Sequence, residues 1–107
     1  MEDSAHHKCM AAAMAVLGDK WNPFIIQSLE HGPARFCGIQ EAAGGVNPRT
    51  LSGRLVQLEQ LGIITKHMIS VMPPHTEYKL TKPGKELLPI LAQMADWSER
   101  HSQPALE

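Results

Sequence analysis

The 107-residue chain is predicted to fold as a single, mostly helical α+β domain: three helices feed a two-stranded hairpin, and a further helix stands at each end. Three features predict this. Glycine and proline recur at intervals that leave segments of helix length between them. One such segment, 48–61, places Leu51, Leu55 and Leu58 at i, i+4 and i+7, the spacing of one buried helical stripe. Directly after it the apolar period changes from helical to alternating, on both sides of Pro73-Pro74. The length suits one hydrophobic core, which usually serves roughly 100–150 residues.

The elements follow in order. The stretch 5–17 is rich in Ala and Met, both good helix formers, and Gly18 ends it. Asn22-Pro23 has the form of a helix start, with Asn capping free amides and Pro where no N–H is needed, so a second helix is expected at 23–31, closed by His31-Gly32-Pro33. A short third helix is expected at 36–43, before Gly44-Gly45. Asn47-Pro48 repeats the start signal and opens the helix at 48–61, which stops at Gly62. Ile63–Ile69 and Thr76–Leu80 read as strands around a proline-bearing loop, a wing at 63–80. Thr81 caps a last helix at 82–100. Trp21 and Phe24 are expected to anchor the core, with Tyr78 also structural.

Charge adds a functional pointer. The formal net charge is −1, yet residues 33–85 carry seven bases against three acids, and the rest of the chain carries three bases against eight acids. A basic middle between acidic ends is an electrostatic footprint that the whole-chain balance conceals. Three helices followed by a hairpin form a winged helix, in which the third helix enters the DNA major groove and the hairpin reaches the neighbouring backbone or minor groove. The start of the 48–61 helix presents free amides and a partial positive charge that suit a phosphate. The expected DNA-contacting residues are Asn47, Arg49, Thr50, Ser52 and Arg54 on that helix, with Arg35, Lys66 and Lys79 around it. Along the helix, Arg49, Gly53, Gln57 and Gln60 are expected to oppose the leucine stripe. A solvated amphipathic helix would show a similar polar face; the hairpin and the basic segment favour DNA.

Within this frame the chain resembles the HxlR-type winged-helix transcriptional regulators of bacteria and archaea. The residues that carry the resemblance are Cys9, Leu17-Gly18-Asp19-Lys20-Trp21-Asn22-Pro23, Gly32-Pro33-Ala34-Arg35-Phe36, Asn47-Pro48-Arg49-Thr50-Leu51-Ser52, Arg54-Leu55 to Leu58-Glu59, Leu61-Gly62-Ile63-Ile64, and Pro73-Pro74-His75-Thr76-Glu77-Tyr78-Lys79-Leu80-Thr81 with Gly84. Each piece is weak alone, and the ordered set is specific. The resemblance implies a homodimer that binds a palindromic operator in double-stranded DNA. It also implies that some members sense oxidants or small electrophiles through a cysteine near the N-terminus. Two residues depart from the pattern: Gly53 stands where a larger, often polar, residue is usual, and Cys37 is additional.

Cys9 follows His6-His7-Lys8, and nearby positive charge raises the thiolate fraction on which reactivity depends, so Cys9 is the candidate redox-sensing residue. The competing reading is a small packing residue in an Ala-rich helix. Cys37, between Phe36 and Ile39, is expected to be buried and inert. Among His6, His7 and Cys9, the adjacent histidines point in divergent directions on a helix and no fourth ligand is evident nearby, so no metal is expected, and no cofactor. No nucleophile motif or phosphate loop appears, which argues against an enzyme. No run approaches the roughly 20 apolar residues of a membrane span, and a cytoplasmic protein with free thiols is expected.

The last helix carries apolar residues over a wider arc than docking on its own core requires: Leu87, Leu91 and Met94, flanked by Leu88 and Ala95 and by Ile90 and Trp97. The first helix adds Met10, Met14 and Leu17 at i, i+4 and i+7. Met10, Met14, Leu17, Leu87, Leu91, Met94 and Trp97 are therefore the expected dimer interface. Two other readings stand beside the DNA-binding dimer: a winged-helix module that binds only protein, and a metal-responsive regulator.

Overall fold

The computed structural model describes residues 2–101, with the side chains of residues 2–4 left aside; Met1 and residues 102–107, including Leu106-Glu107, lie outside the described residues. The order is α1 (Glu2–Leu17), α2 (Asn22–Ser28), α3 (Phe36–Ala42), α4 (Pro48–Gln60), β1 (Ile64–Val71), β2 (Pro74–Leu80) and α5 (Lys82–His101). This is the predicted winged helix, with its elements in the expected order.

The core forms where α2, α3, α4 and the base of the wing meet. Ile25, Ile26, Ile39, Val46, Leu51, Leu58 and Ile64 are each essentially inaccessible to solvent. The leucine stripe of α4 is wholly buried. After Leu61 the backbone of α4 closes in a Schellman motif: Gly62 N donates to Glu59 O at 3.0 Å and Ile63 N to Leu58 O at 2.9 Å. Gly62 sits at φ 76°, a conformation that costs glycine little. The turn aims the chain into β1, which pairs antiparallel with β2 from Ile64↔Leu80 to Val71↔Pro74, with one irregularity between Met68 and Ser70. Ala34 bridges the other edge of β2 at Tyr78, which anchors the wing to the approach to α3.

Thr81 locks α5 onto this corner. Its Oγ1 donates to Gly62 O at 2.6 Å and accepts from Gly84 N at 3.1 Å. A side chain at position 84 would collide with the Ile63 carbonyl, so only glycine allows α5 to start there. Helix α5 then passes through Pro89, which has no N–H to donate to the preceding turn, and beyond Leu91 every residue up to His101 is exposed. Helix α1 is exposed from Ala5 to Ala15 and touches the core only through its last turn, at Val16 and Leu17. Two arms thus project from a small core. The radius of gyration is 15.5 Å, against about 13 Å for a compact domain near this length.

Several expectations are corrected here. Phe24 is 51% exposed rather than a core anchor, whereas Trp21, half-buried with Lys20 Nζ 5.0 Å above its ring, does pack against the core. Asn22 does not cap α2. The N-cap position is Trp21, which makes no side-chain cap bond; Asp19 Oδ1 accepts from Trp21 N at 2.7 Å and Asn22 N at 3.2 Å, while Asn22 itself is buried. Cys37 is exposed, because the short α3 turns only Ile39 inward. Leu91, expected at a dimer interface, is 3% exposed inside the monomer core, and Leu17 and Leu87 pack against that core. The hairpin loop is shorter than expected, since pairing continues to Val71 and Pro74.

Candidate nucleic-acid interface

Helix α4 divides into strips set by its 3.6-residue period. Leu51, Leu55 and Leu58 point into the core. Arg49, Gly53, Val56 and Gln60 are exposed on the opposite side. Two flanks separate these strips. Ser52, Val56 and Glu59 line a cleft of about 160 Å³ against Phe36, Leu55, Lys66 and Tyr78. Thr50, Arg54 and Gln57, each half-buried, face the α1–α2 turn. Gln57, expected outward, therefore belongs to this inner flank, and its outward place is taken by Val56. Counting seven residues on from Arg49 would have identified Val56.

The start of α4 has the predicted cap. Asn47 Oδ1 accepts from Arg49 N at 2.9 Å and from Thr50 N at 3.4 Å. Arg49 and Ser52 extend from that capped first turn into solvent. The side chains of Arg49 and Ser52 carry the hydrogen-bond donors that base edges and phosphates accept.

The wing supplies charge unevenly. Lys66 pairs across the ladder with Tyr78, and Thr65 with Lys79, so Lys66 and Lys79 lie on opposite faces of the ribbon. Lys66 faces the α4 cleft, although Glu59 shares that cleft and offsets part of its charge. Lys79 lines a different cleft, with Glu30, His31 and Lys85. Arg35 borders a groove of about 670 Å³ with Phe36, Cys37, Gly38, Pro74 and Thr76. Phe36 lines this groove and the Lys66 cleft alike, so Arg35, Lys66 and Ser52 share one side of the wing. The wing tip carries no lysine or arginine: Met68, Ile69, Val71 and Met72 are all exposed, Met72 by 89%.

Arg54 is already occupied. Its Nε stands 2.6 Å from Asp19 Oδ2, close in distance but not aligned as a hydrogen bond. The expected DNA contacts are thus brought together in part: Asn47, Arg49, Ser52 and Lys66 gather around the outward start of α4 and its cleft, Arg35 adjoins them, Thr50 and Arg54 turn inward, and Lys79 faces away.

Cys9 is exposed on α1, next to Met10 and five residues before Met14, both also exposed. On α5 the large exposed apolar residues are Ile90, Met94 and Trp97, at i, i+4 and i+7. They form a second stripe, turned away from the one that carries Leu87 and Leu91 into the core. Among the described residues, no three His, Cys, Asp or Glu side chains converge on a common point, and no helix is long and apolar enough to cross a membrane.

Comparison with known proteins agrees with this architecture. The family model described as HxlR-like helix-turn-helix matches residues 16–105. An uncharacterized HTH-type transcriptional regulator of Bacillus subtilis, YvaP, is 34% identical over 93 residues, spanning 87% of this chain and 86% of YvaP. The reduced form of the transcriptional regulator YodB from B. subtilis superposes with a TM-score of 0.78 at 33% identity, covering 89% of this chain and 93% of that one. The redox regulator HypR in its oxidized form superposes with a TM-score of 0.75 at 32% identity, covering 82% of this chain and 91% of its own. The winged-helix fold, the Asn-capped α4 and the match across most of the chain place this protein in the HxlR-like helix-turn-helix family of transcriptional regulators.

Proposed function

We propose that the protein is a homodimeric, sequence-specific DNA-binding regulator whose DNA affinity is set by the chemical state of Cys9. The observation that carries this reading is the capped start of α4, which presents Arg49 and Ser52 outward beside a wing cleft containing Lys66. Such a helix start, with donors at its first turns, fits the major groove and the phosphates that line it.

The dimer follows from unpaired apolar surface. Met10 and Met14 on α1, and Ile90, Met94 and Trp97 on α5, have no core beneath them, and water contact with such a patch is unfavourable. Pairing these arms about a two-fold axis would set two α4 helices about 34 Å apart, one turn of duplex. Cys9 lies on the same arm. Addition of its thiolate to an activated C=C electrophile would form a C–S bond on this arm as the C=C π bond opens, with the thiol proton passing to water and the resulting carbanion taking a proton from water. The bulk added there would shift one arm against the other and change the spacing of the α4 pair. Relatives solved in reduced and oxidized states support a thiol signal.

The test is alkylation by N-ethylmaleimide of the Cys37→Ser protein and of the Cys9→Ser/Cys37→Ser protein, followed by DNA-binding titration. Release of DNA from the first and retention by the second is the expected result. Equal release from both would make Cys9 a surface residue without a sensing role.

A further inference from the structure

The inner flank of α4 meets the end of α1 along a polar seam. Asn22 is fully buried. Its Nδ2 donates to Val16 O at 2.9 Å, in the last turn of α1, and to Gln57 Oε1 at 3.4 Å, on α4. Its Oδ1 has no partner among the described residues. One turn earlier on α4, Arg54 is held against Asp19, whose other oxygen accepts from the Trp21 and Asn22 amides. Both α4 residues lie on the strip that begins at Thr50.

Two features make this seam more than packing. Among the described side chains of α1, only Val16 and Leu17 in its last turn join the core, so its direction relative to α4 is fixed where Val16, Asp19 and Asn22 meet Arg54 and Gln57. The seam is also incompletely satisfied. A buried amide oxygen without a donor is costly, and native structures seldom keep one without a reason. The close Arg54–Asp19 contact that lacks hydrogen-bond alignment stands one helical turn away. The unpartnered Asn22 oxygen, beside an ion pair out of hydrogen-bond alignment, lowers the cost of a second arrangement of the same groups, and bistable contacts of this kind convert a small shift into a discrete one.

We propose that the Asp19–Arg54 and Asn22–Gln57 pairs are a coupling strap that transmits the position of α1 to α4, with Arg54 a positioning residue that does not contact DNA. The inference rests on the DNA-binding reading above. Its charges favour the role. A phosphate drawn to Arg54 would have to approach the Asp19 carboxylate and would strip that carboxylate of its partner. Left paired, the two charges cancel at the protein surface and bind α4 to the α1–α2 turn.

The experiment is a double-mutant cycle of Asp19→Asn and Arg54→Gln in the Cys37→Ser background. Asp19→Asn keeps an oxygen for the Trp21 and Asn22 amides at the start of α2, and thermal unfolding verifies the fold. Two quantities are read: hydrogen exchange of the α4 amides, and affinity for an operator duplex as a function of salt, each before and after N-ethylmaleimide treatment at Cys9. The strap predicts that alkylation speeds α4 exchange in the parent and weakens DNA binding roughly tenfold. It predicts that each single variant and the double variant lose most of that response, with non-additive effects, and that Arg54→Gln leaves the salt slope unchanged. A salt slope lower by about 0.9 in Arg54→Gln, with tighter binding by Asp19→Asn, would make Arg54 a phosphate contact and overturn the proposal. An undiminished alkylation response in the variants would also overturn it. If the parent binds no duplex, the DNA-binding reading fails, and the exchange measurement still decides whether α1 and α4 are coupled.

Discussion

Helices α4 and α5 follow the same apolar spacing and meet different fates. In α4 the stripe Leu51, Leu55 and Leu58 is buried within the chain, and the helix shows solvent a mainly polar face. In α5 the stripe through Leu87 and Leu91 is likewise satisfied at home. A second stripe of Ile90, Met94 and Trp97 remains in water, Trp97 by 60%. The difference lies in what is beneath each helix. Helix α4 is enclosed by α2, α3 and the wing base, whereas α5 runs past the edge of the core soon after Pro89. Amphipathic spacing specifies which residues seek burial, and the extent of the core decides whether the monomer can provide it. Helix α4 is thereby free to present Arg49 and Ser52, and α5 to pair with a second copy.

The largest effect expected from this contrast is at the exposed stripe. Met94→Glu with Trp97→Glu would require unpaired charges to be buried in a dimer, which is costly. The variant should sediment as a monomer and fall to non-specific DNA affinity, a loss of about 10³-fold or more. A dimer that persists in that variant would move the interface off α5. Next comes the comparison of the two stripes within one helix. Leu91→Ala should cost about 2–5 kcal/mol of unfolding free energy through an unfilled core site. Met94→Ala should leave the monomer core intact and lower the dependence of Tm on protein concentration instead. Equal behaviour of the two variants in denaturant titrations at several concentrations would erase the distinction between them.

Smaller effects separate parts of the DNA-facing side. Arg49→Ala should weaken operator binding by about 1–3 kcal/mol if the guanidinium reads a base. Lys66→Ala should lower the salt slope by about 0.9 on every sequence, and Lys79→Ala should leave the slope unchanged, because the two lysines face opposite ways. Titration of each variant at four or more salt concentrations discriminates them, and an equal change in both would mean that DNA straddles the wing.

The element order was legible because breakers and periodicity are local signals. Asn47-Pro48, Gly62 and Thr81 each act as their residue types suggest. Asn22-Pro23 repeats the first of these signals and was misread for a physical reason. The same dipeptide caps a helix when its Asn is exposed and joins a core network when it is buried, and burial is a tertiary property. Asp19, three residues earlier, accepts from the Trp21 and Asn22 amides instead. Leu91 and Met94 share a heptad stripe, and only the end of the core beneath them separates monomer packing from exposed surface. Cys37 beside two apolar residues looked buried, but a seven-residue helix turns a single residue inward. The pairing of Arg54 with Asp19 is not legible in the sequence because the two stand 35 positions apart. Sequence pattern reports which face a residue occupies, and pairing across elements lies beyond it.

The central claim is that the exposed arms pair two copies so that two α4 helices read one duplex. Selection of binding sites from a random-sequence duplex library tests it most directly, with the stoichiometry of the selected complex measured by sedimentation. The account predicts enrichment of inverted repeats whose half-site centres lie about 10–10.5 base pairs apart, or at a multiple of that spacing, bound by two chains per duplex. Enrichment of a single unrepeated half-site bound by one chain, or no enrichment at all, would contradict it.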